Sequence, residues 1–151
     1  MFFFGNYGLN CFEITFNKYK IATVYYEKPF KVPSGVTVNI VNNIDSFKNE
    51  QGRINFHPLN NNVIPANTPC ILQSNEPKTY RFWFDETNTD KAPQPNYLYG
   101  NEEPIYIYSI FPKDKYDILG LNIEDGKVVF IRFADSGKPL AAHKAVVVIP
   151  K

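Results

Sequence analysis

The chain has 151 residues, the usual length of one domain. A chain of that length buries roughly 68–70% of its unfolded surface, so it needs no disulfide or metal to fold. Its net charge of +1 excludes a simple electrostatic footprint for nucleic acid, and we predict no nucleic-acid partner. No apolar run approaches the ~18 residues of a membrane-spanning helix, so we predict no membrane span.

The first eight residues, Met1 to Gly8, open with an apolar stretch but do not form an export signal. They have no basic residues at the start, and glycines and asparagines interrupt the apolar run. The chain itself leaves two locations open: the cytoplasm, or an extracytoplasmic site reached by means of a signal that this sequence lacks.

Apolar and polar residues alternate along most of the chain, which is typical of strands with one buried face. A helical turn or a polar loop is predicted for residues 45–51, and a loop for residues 86–96. The pair Asp125-Gly126 predicts a tight turn. The predicted strands cover residues 11–16, 21–26, 36–41, 53–57, 70–73, 79–84, 97–99, 105–108, 118–121, 127–133 and 145–149.

Aromatic residues make up 16% of the chain and prolines number 12, which favours strands separated by turns. Short strands at regular spacing predict an all-β fold, and both an antiparallel β-sandwich and a barrel satisfy the pattern. We predict a single domain of about ten strands over residues 1–151.

Two stretches of the chain repeat one pattern. The segment Gly52 to Phe56 and the segment Gly126 to Phe130 each place a basic residue after a glycine, then an aliphatic residue, then phenylalanine. Each is followed by a polar loop and a corner of small residues, at 64–68 and at 140–144. We predict an internal duplication, with pseudo-repeat halves of about 1–75 and 76–151.

The two cysteines, Cys11 and Cys70, fit no zinc or redox spacing. In the repeat Cys70 falls opposite Val146, which favours a place in the core. Free cysteines are commonly buried, so buried free thiols are favoured over a disulfide.

The sequence indicates little catalytic chemistry. His57 and His143 have no metal-binding spacing, and we predict no metal or cofactor. The sequence has no GxSxG, P-loop or GxGxxG motif. Acidic pairs stand at predicted strand ends, where carboxylates are normally solvated: Asp85-Glu86, Glu102-Glu103 and Glu124-Asp125.

Exposed aromatic residues are the better candidates for function. On the strand predicted at residues 79–84, Arg81 and Trp83 share one side, while the remaining aromatics share the other. If those aromatics face the core, Trp83 points outward beside a guanidinium, where it can stack on a sugar ring or a partner's side chain. The alternative is that Trp83 packs under the loop at 86–96. The predicted binding residues are Arg81, Trp83, Tyr97 and Tyr99.

Several strings resemble a β-rich domain that recurs in secreted and surface proteins of Bacteroidetes. Its motifs read "IP-x-GV", "VIPANT-x-VIL", "TY-x-F" and "LPANKAYL", with an entry strand of "Y-A-T-x-Y" type. Here the closing motif departs at Ala141, His143 and Val146. The resemblance implies an exported, non-enzymatic module of unassigned function. The matching segments are 32–36, 63–72, 79–80 and 140–145, with the entry strand at 19–25.

Three functions follow from this reasoning. The first is a non-catalytic extracellular or cell-envelope module that contacts glycan or protein through exposed aromatics. The second is a free-standing β-barrel that inhibits a protease or holds a small ligand. The third is an unrecognised hydrolase, which requires a pair of carboxylates that no motif selects.

Overall fold

The structure is a computed structural model that describes residues 10–48, 51–134 and 137–151, so Met1 to Leu9 lie outside it. Within these ranges the chain forms twelve strands and one helix of four residues, which confirms the all-β prediction. That helix is far shorter than the ~20 residues that a membrane crossing takes, and no other helix occurs in the described ranges. The elements are β1 (Cys11–Thr15), β2 (Ile21–Val24), β3 (Phe30–Lys31), β4 (Val36–Lys48), β5 (Gln51–Leu59), β6 (Val63–Ile64), β7 (Cys70–Ser74), β8 (Thr79–Trp83), β9 (Leu98–Gly100), α1 (Ile107–Ile110), β10 (Tyr116–Glu124), β11 (Lys127–Arg132) and β12 (Ala145–Pro150).

An antiparallel sheet of eight strands, in the order β2-β7-β4-β5-β11-β10-β12-β9, carries the fold. Two-stranded ribbons, β1-β8 and β3-β6, complete the described strands. The large sheet curls so that β2 lies against the start of β12, where the Ala145 N–H donates to Thr23 Oγ1 at 3.1 Å. No sheet among the described strands closes into a barrel, so the architecture is sandwich-like.

The large sheet has the same strand order from either edge. Strands β2, β7, β4 and β5 of the first half correspond to β9, β12, β10 and β11 of the second half. In the first half β7 lies between β2 and β4, and β4 pairs with β5. In the second half β12 lies between β9 and β10, and β10 pairs with β11. The β3–β6 pair of Phe30 with Ile64 has a counterpart in the bridge between Ile105 and Leu140.

Turns with positive φ stand at corresponding points of the two halves. Asn67 has φ of 60° and His143 has φ of 65°, each at the corner before β7 or β12. Polar residues such as these enter the left-handed region more readily than bulky ones. The predicted tight turn is confirmed, since Asp125 and Gly126 both have positive φ (50° and 73°), as the favoured two-residue hairpin turn requires.

The residues that the structure describes form three apolar clusters. The first core lies under β1 and β8, the third core lies under β12 and α1, and the second core is shared by both halves. Strand β7 is buried on both faces, since Cys70 and Leu72 enter the first core and Ile71 the second. Both cysteines are free; Cys70 is fully buried, and burial raises the pKa of its thiol.

Two local predictions were wrong. Residues 45–48 and Gln51, part of the segment predicted as a helical turn or polar loop, are strand, because β4 runs to Lys48 and β5 begins at Gln51, and Lys48 pairs with Gln51; the two residues between them lie outside the described residues. Residues 105–108 were predicted as strand, but α1 begins at Ile107, which is buried, and the Phe111 N–H donates to its carbonyl at 2.9 Å. Only Ile107 is buried in this helix, and a single buried aliphatic residue is compatible with a helical turn as well as with a strand.

Candidate binding surface on the β1–β8 ribbon

The direction of Trp83 is set by the core beneath β8. Tyr80 and Phe82 are buried, and neighbouring residues of a strand point to opposite faces, so Arg81 and Trp83 point outward. Phe82 stacks on Phe12 of β1, with ring centroids 4.8 Å apart and planes at 4°. Trp83 is 48% exposed, which favours a surface role over packing under the following loop.

Three cross-strand pairs make up the outward side of the ribbon, which we term the ribbon face. Arg81 donates from both Nε and Nη2 to Oε2 of Glu13, at 3.1 and 2.9 Å. The guanidinium carbon of Arg81 also lies 5.8 Å from the centroid of the Trp83 ring, within cation–π range. The pairs are Cys11 with Trp83, Glu13 with Arg81, and Thr15 with Thr79.

The polar groups of the ribbon face hold one another in place. The hydroxyls of Thr15 and Thr79 are 2.7 Å apart and hydrogen-bonded. The hydrogen bond to Glu13, followed by the carboxylate charge, raises the pKa of Arg81. Successive pairs are spaced by roughly 6.4–6.8 Å along the strands. An aromatic ring, an ion pair and two hydroxyls thus form a straight row on an open surface.

Tyr97 and Tyr99 lie in another part of the fold. The N–H of Tyr97 donates to the carbonyl of Val41 at 2.7 Å, and its half-buried side chain packs against the second core. Tyr99 packs against the third core, with its ring centroid 5.0 Å from that of Phe111. The four residues predicted from sequence therefore do not form one site; Arg81 and Trp83 lie together, and the two tyrosines pack elsewhere.

Sequence reasoning missed Glu13 and Thr15. The alternation from Cys11 onward predicts a strand, but nothing local identifies β8 as its partner. Glu13 and Arg81, which pair across the two strands, are 68 residues apart in the chain. The matching alternation of charge and hydroxyl on the two strands, with Glu13 facing Arg81 and Thr15 facing Thr79, is the signal that pairs them.

The two histidines are separate from this surface. His57 is exposed on β5, opposite Ile40. His143 stacks on Tyr26 with centroids 4.1 Å apart, and its Nδ1 lies 3.0 Å from the Tyr25 carbonyl and 3.6 Å from Oε2 of Glu102. These contacts give His143 a structural part at the corner. Within the described residues no three His, Cys, Asp or Glu side chains are grouped to hold a metal.

Tyr26 lies at the centre of this corner. Its ring stacks between His143 and Phe12, at 4.1 and 4.0 Å between centroids. Burial, with a smaller contribution from the Glu102 carboxylate, raises the pKa of Tyr26 to about 12. The phenol is therefore neutral at physiological pH, and its ring packs between the two neighbouring rings.

Comparison with protein-family models, with curated protein sequences and with solved structures finds no match to this chain. Its function is therefore argued from its own residues.

Proposed function

We propose that this chain is a non-catalytic binding module that contacts a glycan through the ribbon face. The observation that carries the proposal is the half-exposed Trp83 beside the Arg81–Glu13 pair. An aromatic ring stacks on the apolar face of a sugar, while a guanidinium, a carboxylate and hydroxyls bond to its hydroxyl groups. The ring and these groups are already ordered, so little side-chain entropy is lost on binding.

The composition of the ribbon face favours a glycan over a protein partner. Among the described residues of this face, Trp83 is the one large apolar side chain, and the others are charged or hydroxylic, apart from Cys11. A stable protein interface usually buries about 800 Å² on each partner around an apolar centre. One ring among polar groups fits a smaller, hydroxyl-rich ligand.

We further propose that the module works in the cell envelope or outside the cell. This proposal is supported by the resemblance of its corner strings, including residues 63–72 and 140–145, to the Bacteroidetes surface domain. Location is tested by fractionating the native organism and probing each fraction with an antibody to the chain. Recovery with the cytoplasmic fraction alone would contradict the proposal.

Replacing Trp83 with alanine is expected to abolish binding on a glycan array while leaving the fold intact. The ring supplies the stacking surface, and because about half of it is exposed its loss costs less stability than a core deletion. The matched control is Tyr106→Ala, since Tyr106 is 59% exposed and lies outside the ribbon, just before α1. Array binding and thermal unfolding are measured for both variants. Equal binding by both variants would refute the glycan site on the ribbon face.

We also infer that the two halves of the chain derive from one duplicated unit. This inference is supported by the matching strand order of the halves and by the positive φ shared by Asn67 and His143. In the first corner Pro65 stands two residues before the positive-φ position, where the second corner has Ala141.

Ala141→Pro is accordingly expected to raise the free energy of unfolding by about 0.4–1 kcal/mol, because proline restricts the unfolded chain. Leu140 is held in a β-bridge with Ile105, and a residue before proline favours such an extended backbone. The reciprocal change, Pro65→Ala, should lower stability by a similar amount. Urea unfolding measures both. A loss above about 1 kcal/mol for Ala141→Pro would show that the corners are not equivalent.

A further inference from the structure

A groove lies between the β2–β7 end of the large sheet and strands β5 and β11. Its volume is about 410 Å³, within the 300–1,000 Å³ that is typical of small-molecule sites. None of the residues that line it belongs to the ribbon face. The groove is thus a second feature, independent of the proposed glycan site.

One wall of the groove is apolar. It is formed by Ile54 and Phe56 of β5 and by Val128 and Phe130 of β11. The two phenylalanine rings meet edge to face, with centroids 6.2 Å apart and planes at 89°. Val128 is 37% exposed, and Ile54 and Phe56 are half-buried, so an apolar ligand would remove this surface from water.

The opposite wall carries hydrogen-bonding groups. Tyr19 offers a phenol and Gln73 offers a side-chain amide. Oε1 of Gln73 accepts a hydrogen bond from Asn39 Nδ2 at 3.1 Å, which orients the amide and leaves it as a donor through Nε2. The groove is therefore apolar along β5 and β11, whereas its β2–β7 side carries Tyr19 and Gln73 as donors beside the apolar Ile21.

Positive charge is concentrated beside these donors. Lys18 and Lys20 flank Tyr19 in the chain, and both are exposed. The ammonium of Lys18 lies 5.2 Å from the centroid of the Tyr19 ring. Neither lysine forms an ion pair with a carboxylate of the described residues. Neither lysine lines the groove, but both adjoin Tyr19, which does, so their charge acts through space on an anion at this end of the groove.

We propose that the groove binds a small apolar carboxylate. The hydrocarbon body lies against Phe56, Val128 and Phe130, and the carboxylate accepts hydrogen bonds from the Tyr19 and Gln73 side. The two lysines select an anion over a neutral or cationic molecule of the same shape, because opposite charges lower the free energy of the complex and like charges raise it.

Three ligands with the same ten-carbon chain test the chemistry: decanoate, decanol and decyltrimethylammonium. Titration of the whole chain is followed by calorimetry and by amide shifts in NMR spectra. Decanoate is expected to bind at least tenfold more tightly than decanol, to lose affinity as salt is raised, and to shift the amides of β5 and β11. Equal affinity for the cation, or no binding by any of the three, would overturn the proposal.

Charge reversal locates the site. The double variant Lys18→Glu/Lys20→Glu is expected to lose at least tenfold in affinity for decanoate. Its control is Lys91→Glu/Lys138→Glu, which changes the net charge equally at two exposed lysines that are neither groove-lining residues nor chain neighbours of one. An equal loss in both pairs would overturn the proposal. Glycan-array binding through Trp83 should be the same in both double variants as in the unaltered chain. Failure of the groove proposal is therefore distinguishable from failure of the glycan proposal.

A second pair of variants tests the apolar wall. Val128→Glu places a carboxylate where the hydrocarbon body lies and is expected to abolish decanoate binding. Ile110→Glu makes the same kind of change at a residue of α1 that is 43% exposed, and should leave binding unaltered. Both positions are exposed enough to accept a charge, and thermal unfolding verifies the fold. Full decanoate binding by folded Val128→Glu would contradict the proposed site.

Discussion

Replacing Phe82 with alanine is expected to lower the free energy of unfolding by about 3–5 kcal/mol, the range for a phenylalanine lost from a packed core. Phe82 has no exposed surface. Its ring stacks on Phe12 and meets Phe30 edge to face, with centroids 5.9 Å apart. The deletion therefore removes dispersion contacts on several sides and leaves a cavity beneath the ribbon face.

Urea unfolding measures this loss, and the adjacent residue supplies the comparison. Trp83→Ala removes a larger side chain from the same strand but should cost clearly less stability, because about half of that side chain is already exposed to water. If the two variants lost equal stability, the assignment of inner and outer sides of β8 would be wrong. Phe82→Ala should also weaken glycan binding, since the ribbon face rests on this ring.

Gly100→Ala is expected to cost about 3 kcal/mol, at the upper end of the usual range for overpacking. A methyl group at Gly100 would lie 2.5 Å from Cβ of Tyr25 and 2.7 Å from the carbonyl oxygen of Lys144. Both obstacles are part of, or attached directly to, the main chain, so neither can rotate away. Strand β9 would have to shift away from Tyr25, just after β2, or from Lys144, at the corner before β12.

A second glycine separates this steric effect from the general effect of adding a methyl group. At Gly120 the nearest atom to a new Cβ is Cδ1 of Phe133, at 3.1 Å, and a side chain can adjust by that amount. Gly120→Ala should therefore cost clearly less than Gly100→Ala in the same urea experiment. Equal losses would show that the backbone at Gly100 yields easily.

Alternation along β8 was sufficient to predict that Arg81 and Trp83 share one side and the other aromatics the opposite side, but it left open whether Trp83 is exposed or packs under the loop at 86–96. The turn at Asp125-Gly126 was also predictable, since few residue pairs accept positive φ twice in succession. Both inferences depend only on neighbouring residues.

What the sequence did not reveal depends on distant contacts. The pairing of β1 with β8 supplies Glu13 to the ribbon face, and no local pattern encodes it. The sequence also grouped Tyr97 and Tyr99 with Trp83, because alternation shows which residues share a side but not what covers that side. The groove likewise depends on four strands that meet only in the folded sheet.

The ribbon face has a further consequence for how the molecule works. Strand β1 belongs to the first 75 residues and β8 to the remainder, so Glu13 and Arg81 come from opposite sides of the chain's midpoint. Neither side alone contains the whole ribbon face. If the proposed glycan site is correct, a nascent or clipped chain that lacks either strand would not bind, however well ordered its remaining part.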